Sequence, residues 1–200
     1  GPFGADARPC NAGPRRSGLI PDRLERTYEK VWLAHHPKGF TFNVVPLHSD
    51  IVLIPFHLFS TNLMFSHGAV YHFSEYKPVW MSMTYDVAVL KLEKPTFHCS
   101  PPICLHGCRS GWLKCVTREI CMSMRVQGFD LDTLEVGETE WVGAHTQRGL
   151  ISSQGPVPYG SCGSPVICEH GVCAITTATN RKQSFFTKMS EIPYFQAMEQ

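Results

Sequence analysis

The sequence predicts an all-β protein whose strands form two lobes. Sixteen glycines and 15 prolines among 200 residues break the chain into many short segments, which is typical of turn-rich β proteins. Runs of β-branched and aromatic residues recur in both halves of the chain, and many short strands at such spacing are typical of barrels and sandwiches. The stretch from about Pro95 to Arg109, rich in proline and cysteine, is the natural divider between the halves.

The chain begins with an irregular arm. Residues 1–19 are rich in glycine, proline and arginine and have little hydrophobic pattern. Pro21 and Asp22 can open a short helix in which four residues have helical spacing, namely Leu24, Tyr28, Val31 and Trp32. We therefore divide the chain into an N-terminal arm with this short helix, an N-terminal β lobe, an interdomain connection and a C-terminal β-barrel, at residues 1–38, 39–95, 96–110 and 111–200.

The predicted strands are short and are bounded by turn residues. Those of the first half are Thr41–Val45, Ile51–Ile54, Ala69–Phe73 and Asp86–Leu92. Those of the second half are Trp112–Val116, Met122–Gln127, Glu140–Val142, Gly149–Ser152, Pro165–Cys168, Val172–Thr177 and Ser184–Lys188.

Composition excludes several classes of function. The formal net charge is +1, which argues against a domain whose affinity depends on neutralising many phosphates. No apolar run approaches the length of a bilayer span, so the sequence predicts a soluble globular protein. The first methionine is Met64 and the chain opens with Gly1. We therefore expect a piece excised from a longer chain.

The segment around Cys162 has the residues that a nucleophilic thiol requires. Gly160 and Gly163 flank Ser161 and Cys162, and glycines allow a tight turn without a side-chain clash. Such a turn can expose a sulfur and leave backbone N–H groups free to bind an oxyanion. For that oxyanion hole we expect Cys162, Ser161 and Gly160. The other interpretation is a buried structural cysteine beside a glycine turn.

A cysteine nucleophile needs a base and a group that orients the base. His57 closes an apolar run, and Asp86 begins the apolar strand that follows. Their alternative interpretations are a core histidine and a strand cap. Other histidines compete for the role of base, namely His48, His67 and His72. The chain order of histidine, aspartate and then a nucleophile in the second half is that of the chymotrypsin-like proteases.

With cysteine as nucleophile, the pattern resembles the cysteine proteases of picornaviruses. Proteases of the 3C type carry a histidine about fourteen residues after the nucleophile, where this chain has Thr176. The enterovirus-type 2A proteases instead have Cys-x-His-Gly-Val six residues after it, which matches Cys168 to Val172, and then a strand like Ala174 to Ala178. The resemblance covers roughly residues 40–200. Where the family has Pro-Gly-Asp-Cys-Gly-Gly, this chain has Tyr-Gly-Ser-Cys-Gly-Ser.

The resemblance implies a chymotrypsin-like two-barrel fold with the active site in the cleft between the lobes. It implies a cysteine endopeptidase with His57, Asp86 and Cys162 as the triad. The implied substrates are the viral polyprotein, cut at this protein's own N-terminus, a scaffold subunit of the host translation initiation complex, and nuclear pore proteins. The implied location is the host cytoplasm, with the nucleus as a second location. Membrane partners are not expected, and RNA binding is expected to be weak or absent.

A metal site is predicted by the remaining cysteines. Cys104 and Cys108 have a workable ligand spacing, and with Cys168 and His170 they give the four thiolate or imidazole ligands that zinc prefers. His106 is the rival of Cys104 as fourth ligand. The 2A resemblance likewise implies a structural zinc held by an interdomain turn and the later Cys-x-His. The alternative is a group of reduced, partly buried cysteines without metal.

Two other functions remain open from the sequence. One is a 3C-type main protease that cuts after glutamine. The other is a zinc-stabilised module without catalysis that binds a host factor or RNA, for which the arginines of the N-terminal arm would be suited.

Overall fold

The computed structural model describes residues 32–98, 100–108, 110–116, 121–127, 150–152, 162–179 and 184–198. These residues form thirteen β-strands, two 3-10 turns (Phe56–Leu58 and Met189–Glu191) and one short helix, α1 (Pro193–Met198). The strands are β1 (Trp32–His35), β2 (Thr41–His48), β3 (Ile51–Pro55), β4 (Met64–His67), β5 (Val70–His72), β6 (Tyr76–Ser82), β7 (Val87–Leu92), β8 (Ser110–Val116), β9 (Cys121–Gln127), β10 (Leu150–Ser152), β11 (Pro165–Cys168), β12 (Gly171–Thr179) and β13 (Ser184–Lys188).

The first sheet has seven strands in the order β5-β4-β1-β2-β3-β7-β6, and every pair is antiparallel. Alternate side chains of its strands point into an apolar core that contains Phe42, Phe65, Leu90 and Phe97. The central strands β2, β3 and β7 are buried on both faces, because their other face packs against the second sheet. Strands buried on both faces have continuous apolar runs, which the sequence shows at these positions. The all-β prediction is confirmed.

Strand β1 corrects one prediction. The sequence placed Trp32 in a short helix of the arm, but Trp32 pairs with Val44 of β2 on one side and with His67 of β4 on the other. Trp32 and Ala34 are buried and the residues between and after them are partly exposed, which is strand periodicity. Pairing on both edges outweighs a helical spacing that four residues suggested. The rest of that predicted helix lies outside the described residues.

The second sheet has six strands in the order β10-β13-β12-β11-β8-β9. The predicted strands of the second half are found there, except Glu140–Val142, which lies outside the described residues. Besides β1, two strands of the first sheet, β4 and β6, were not predicted. Strand β6 is an edge strand whose register shifts between Pro78 and Trp80, and such a bulged strand with an exposed face gives a weak sequence signal.

The two sheets share an apolar layer. Val45, Leu53 and Val89 from the first sheet pack with Ile167 and Ile175 from the second. Polar contacts also join the sheets, since the Thr187 hydroxyl donates to the carbonyl oxygen of Tyr85 at 2.9 Å. This layer brings three segments together: β2, the turn between β6 and β7, and the turn before β11. Among the described residues, no helix has the length and apolar character needed to cross a membrane.

Candidate active site and metal centre

His57 and Asp86 lie side by side because their strands pair. His57 is in the 3-10 turn that follows β3, and Asp86 immediately precedes β7. Pro55 of β3 and Val87 of β7 are direct partners, so the adjoining residues meet at the end of the ladder. The backbone N–H of His57 donates to Oδ1 of Asp86 at 2.9 Å. Nδ1 of His57 lies 2.7 Å from Oδ2 of the same carboxylate.

Asp86 has an unusual backbone conformation that suits this geometry. Its φ is 54°, in the left-handed region where aspartate and asparagine are enriched among non-glycine residues. Its carbonyl oxygen accepts the backbone N–H of Phe56 at 3.1 Å. The same residue therefore holds the His57 turn through its carbonyl and through both carboxylate oxygens.

The contacts fix the protonation pattern of the imidazole. An ionised carboxylate only accepts hydrogen bonds, so Nδ1 of His57 carries the proton and Nε2 is left as the acceptor of a neutral ring. The side chain of Asp86 is 12% exposed and that of His57 is 26% exposed. The carboxylate is thus shielded, while part of the imidazole can be reached. A ring held in this way can act as a general base through Nε2.

The three other histidines considered from the sequence have different surroundings. His48 pairs with Asp50 at the surface, with Nδ1 and Oδ1 3.0 Å apart. His67 stacks on the indole of Trp32 with ring centroids 4.8 Å apart. His72 also lies against Trp32, with ring centroids 5.2 Å apart. The structure thus brings His57 to Asp86 and places the other three elsewhere in the first sheet.

Cys162 lies in the turn before β11, where the two sheets meet. Its residue is 2% exposed, and its thiol donates to the carbonyl oxygen of Thr177 at 3.5 Å. Its carbonyl oxygen accepts the backbone N–H of Asn43 at 3.3 Å, across the boundary between the sheets. Sequence reasoning missed Asn43 and Thr177 because nothing local marks them; only the tertiary contact does.

The surroundings of Cys162 keep its thiol neutral. Burial, and after it the negative charge of Asp86, raises the pKa of the Cys162 thiol well above its usual range. Desolvation and a nearby like charge both disfavour the thiolate. The thiol is therefore protonated at neutral pH, and a reaction at this sulfur requires a base that removes its proton during the attack.

The predicted oxyanion hole is described only in part. Gly160 and Ser161 lie outside the described residues, so the roles assigned to them stay predictions. The N–H of Gly163, the residue after Cys162, donates to the carbonyl oxygen of Thr176 at 2.8 Å. That donor is engaged in holding the turn to β12. An oxyanion hole at this turn would therefore depend on Cys162 and the residues before it.

The metal ligands predicted from spacing come together at one place. Cys104, Cys108, Cys168 and His170 each offer a donor atom, and these atoms all lie within 4.8 Å of one another. The Cys104 and Cys108 sulfurs are 3.8 Å apart. Nδ1 of His170 lies 3.7 Å from the Cys108 sulfur and 3.9 Å from that of Cys168. A tetrahedron with zinc–sulfur bonds of about 2.3 Å has sulfur–sulfur edges of about 3.8 Å, so the donor set fits zinc.

Burial and crowding disfavour the ionised form of these thiols. Burial, and then the neighbouring thiols of Cys104 and Cys168, raises the pKa of Cys108 to about 12. Burial is likewise the largest cause that raises the pKa of Cys104. Three thiolates in so small a space would repel one another, so the thiols stay protonated unless a cation lies between them, and a divalent ion such as zinc would favour their ionised form. His106 is outside the group of four, although its Nδ1 lies 3.6 Å from the Cys104 sulfur.

Backbone contacts hold the two halves of this metal centre together. The N–H of Cys104 donates to the carbonyl oxygen of Val172 at 2.8 Å. The N–H of Val172 donates to the carbonyl oxygen of Pro102 at 2.9 Å. The N–H of His170 donates to the Cys168 sulfur at 3.3 Å. The segment 102–108 is thereby fastened to the hairpin of β11 and β12, far along the chain.

Comparison with solved structures shows the fold. The scabies mite inactivated protease paralogue aligns with a TM-score of 0.65 at 12% identity, over 84% of this chain and 90% of that chain. Kallikrein-related peptidase 10 aligns with a TM-score of 0.64 at 13% identity, over 84% and 92%. The human pathogenic astrovirus serine protease aligns with a TM-score of 0.58 at 11% identity, over 80% and 88%. The chymotrypsin-like fold predicted from the sequence is confirmed.

Sequence comparisons show the family. The genome polyprotein of Human rhinovirus 1B is 35% identical over 69 residues, which are 34% of this chain and 3% of the polyprotein. That of Human rhinovirus 16 is 40% identical over 47 residues, 24% of this chain and 2% of the polyprotein. The chain thus matches a small fraction of the length of these relatives. A sequence model of the family described as Picornavirus core protein 2A matches residues 70–197, more than half of the chain. By that match the chain belongs to the Picornavirus core protein 2A family, as its resemblance to the 2A type predicted.

Proposed function

We propose that this chain is a viral cysteine endopeptidase with His57, Asp86 and Cys162 as its catalytic residues. The observation that carries the proposal is the double contact of Asp86 with His57, at 2.9 Å to the backbone N–H and 2.7 Å to Nδ1. A strand cap needs the first contact alone. The second contact orients an imidazole, and the carboxylate of Asp86 lies close enough to the buried thiol of Cys162 for its charge to act on that thiol.

The reaction follows from the protonation states of these three groups. Because the thiol of Cys162 is neutral, Nε2 of His57 takes its proton as the sulfur attacks a peptide carbonyl. Asp86 holds the ring in the required tautomer and stabilises the imidazolium that forms. Backbone N–H groups at the Cys162 turn bind the oxyanion. The imidazolium then protonates the leaving amine, and water hydrolyses the thioester.

The thiol must turn from its resting contact for this reaction. In the structure it donates to the carbonyl oxygen of Thr177, a weak hydrogen bond that a rotation about the Cα–Cβ bond breaks. We propose that a bound peptide favours this rotation, since its carbonyl carbon offers the sulfur a better partner.

We further propose a structural zinc ion held by Cys104, Cys108, Cys168 and His170. Such a closed set of four protein ligands leaves no position for water, so the ion would brace the connection against the second sheet. The Cys162 turn precedes the same hairpin that carries Cys168 and His170. Zinc would therefore stabilise the nucleophile turn indirectly.

The proposed substrate is the viral polyprotein. The relatives matched by sequence are genome polyproteins, and the 2A resemblance implies a cut in front of this protein's own N-terminus. The same resemblance implies host substrates, namely the translation initiation scaffold and nuclear pore proteins, and therefore a place in the host cytoplasm and nucleus.

The test uses a precursor in which natural upstream residues precede Gly1. Mass spectrometry of the incubated precursor should show a cut in front of Gly1 for the unmodified chain and none for Cys162→Ala. Cys173→Ala is the matched control, because Cys173 is another buried thiol and its replacement should leave the cut intact. Cutting that persists in Cys162→Ala would disprove the nucleophile, and absence of any cut would favour a non-catalytic module.

A further inference from the structure

A short repeat connects the two halves of the metal centre. The sequence Pro-x-Ile-Cys-x-His-Gly occurs at residues 101–107 and again at residues 165–171. The two copies lie close together, since Ile103 of the first copy forms a parallel β-bridge with Val172, the residue that directly follows the second copy. Each copy ends in a glycine with positive φ, 75° at Gly107 and 132° at Gly171. The two copies thus share a sequence pattern, and both end in a glycine with positive φ.

The histidine of each copy lies near its own cysteine in a similar way. Nδ1 of His170 is 3.9 Å from the Cys168 sulfur, and Nδ1 of His106 is 3.6 Å from the Cys104 sulfur. In the second copy the backbone N–H of His170 also donates to the Cys168 sulfur at 3.3 Å. The two imidazole rings lie close together, with centroids 4.3 Å apart. The position of His106 relative to Cys104 is therefore similar to that of the proposed ligand His170 relative to Cys168.

The site consequently has one donor more than a tetrahedral ion requires. Cys108 completes the group of four in the structure, although it lies outside the repeat. Without Cys108, the two copies alone would supply two cysteines and two histidines, a common donor set for structural zinc. The ring of His106 is exposed, so it can turn toward the site without unpacking the core.

We propose that His106 is a reserve ligand that takes the place of Cys108 when that thiol is lost. The inference depends on the metal centre proposed above and extends it. Cys108 is partly exposed, whereas Cys104 and Cys168 are buried, so Cys108 is the ligand thiol most open to alkylation or oxidation. A second donor set would let the connection stay fastened to the hairpin after such damage.

The test is cobalt substitution of the purified full chain. Tetrahedral Co²⁺ absorbs in the visible region, and its sulfur-to-cobalt charge-transfer band grows with the number of thiolate ligands. Cys108→Ala should bind one Co²⁺ in a tetrahedral site, with a charge-transfer intensity about two thirds of the original because two of three thiolates remain. His106→Ala alone should keep the original spectrum. The double variant should bind Co²⁺ at least about tenfold more weakly than Cys108→Ala.

Controls separate the possible failures. Cys108→Ala with His48→Ala should behave as Cys108→Ala does, since His48 is exposed and pairs with Asp50. Cys108→Ser is measured in parallel, because it retains the shape of the side chain if the alanine variant does not fold. Equal Co²⁺ affinity of Cys108→Ala and the double variant would overturn the reserve role. Failure of the unmodified chain to bind Co²⁺ or Zn²⁺ would overturn the metal centre itself, and the reserve role with it.

Discussion

The Cα of Gly163 faces the backbone of Asn43 with no room for a side chain. An added Cβ would lie 2.7 Å from the carbonyl carbon of Asn43 and would overlap its oxygen. Because Gly163 directly follows Cys162, this close approach fixes the Cys162 turn to β2 of the other sheet. The glycine is needed for that contact and for its φ of 87°.

Gly163→Ala should therefore destabilise the protein and displace Cys162. Overpacking against a backbone that cannot yield costs about 1–3 kcal/mol, to which the left-handed conformation adds about 1–2 kcal/mol. Urea unfolding followed by tryptophan fluorescence measures the loss, and peptide cleavage should fall with it. Gly39→Ala is the control, because Gly39 has a φ of 97° and nothing within 4 Å of an added Cβ. Equal losses for the two variants would show that the contact with Asn43 contributes nothing.

Asp86→Asn should remove activity while it retains the fold. The amide can still accept the His57 backbone N–H and tolerates the left-handed conformation, but its NH₂ group favours the wrong tautomer of the ring. In proteases with such a triad this change lowers kcat about 10⁴-fold. Steady-state peptide cleavage, with circular dichroism as a check on the fold, measures the effect. Asp50→Asn, which alters the exposed pair with His48, should leave kcat unchanged. A loss below tenfold in Asp86→Asn would exclude the proposed role.

Much of this arrangement could be predicted from the sequence. Three local signals could be read from the sequence: glycines beside Cys162, an aspartate before an apolar strand, and Cys-x-His spacing. The structure places Asp86 against His57, the Cys162 turn against Asn43, and Cys168 and His170 beside Cys104 and Cys108. The two-sheet fold follows from short β-rich runs bounded by turn residues. The family resemblance adds the prediction that His57, Asp86 and Cys162 act together as one site.

Other features depend on contacts between distant segments. Strand β1 forms because β2 pairs with one of its edges and β4 with the other. The local sequence around Trp32 does not predict this pairing. The contact of Asn43 with the Cys162 turn joins residues far apart in the chain, so it needs the packed structure. The choice of Cys104 over His106 is also geometric, since both have workable spacing but only the former belongs to the group of four donors.

The reactivity of Cys162 should increase at high pH. Burial and the charge of Asp86 raise its pKa, so the thiolate is scarce at pH 7 and its fraction grows as the pH rises toward that raised pKa. Alkylation of Cys162 by iodoacetamide, followed by peptide mass spectrometry, should therefore accelerate beyond pH 8.5 without an earlier plateau. In Asp86→Asn the negative charge is absent, the pKa falls and the acceleration should begin at lower pH. A plateau below pH 8 in the unmodified chain would contradict this prediction.

Gly171→Ala should weaken the metal centre. An added Cβ would lie 2.8 Å from the carbonyl carbon of Pro102, so it would push apart the two turns that carry the ligands. Loss of ligand support typically lowers metal affinity about 10–100-fold, which competition with a colorimetric zinc chelator measures. Gly107→Ala is the matched variant, because its φ is also positive but an added Cβ would meet only the Ser190 hydroxyl, at 3.5 Å. Gly107→Ala should thus retain more affinity than Gly171→Ala, and the reverse order would disprove the explanation.

Tyr76→Phe should destabilise the first sheet through the turn that follows the His57 segment. The Tyr76 hydroxyl accepts the backbone N–H of Leu63 at 2.8 Å and donates to the carbonyl oxygen of Ser60. Phenylalanine leaves both backbone groups without this partner, at a cost of about 1–3 kcal/mol for a buried unsatisfied group. Tyr71→Phe is the control, because Tyr71 is 61% exposed and should change the unfolding free energy little. If the two variants unfold at the same urea concentration, solvent must satisfy the freed groups, and the hydroxyl of Tyr76 does not stabilise the turn.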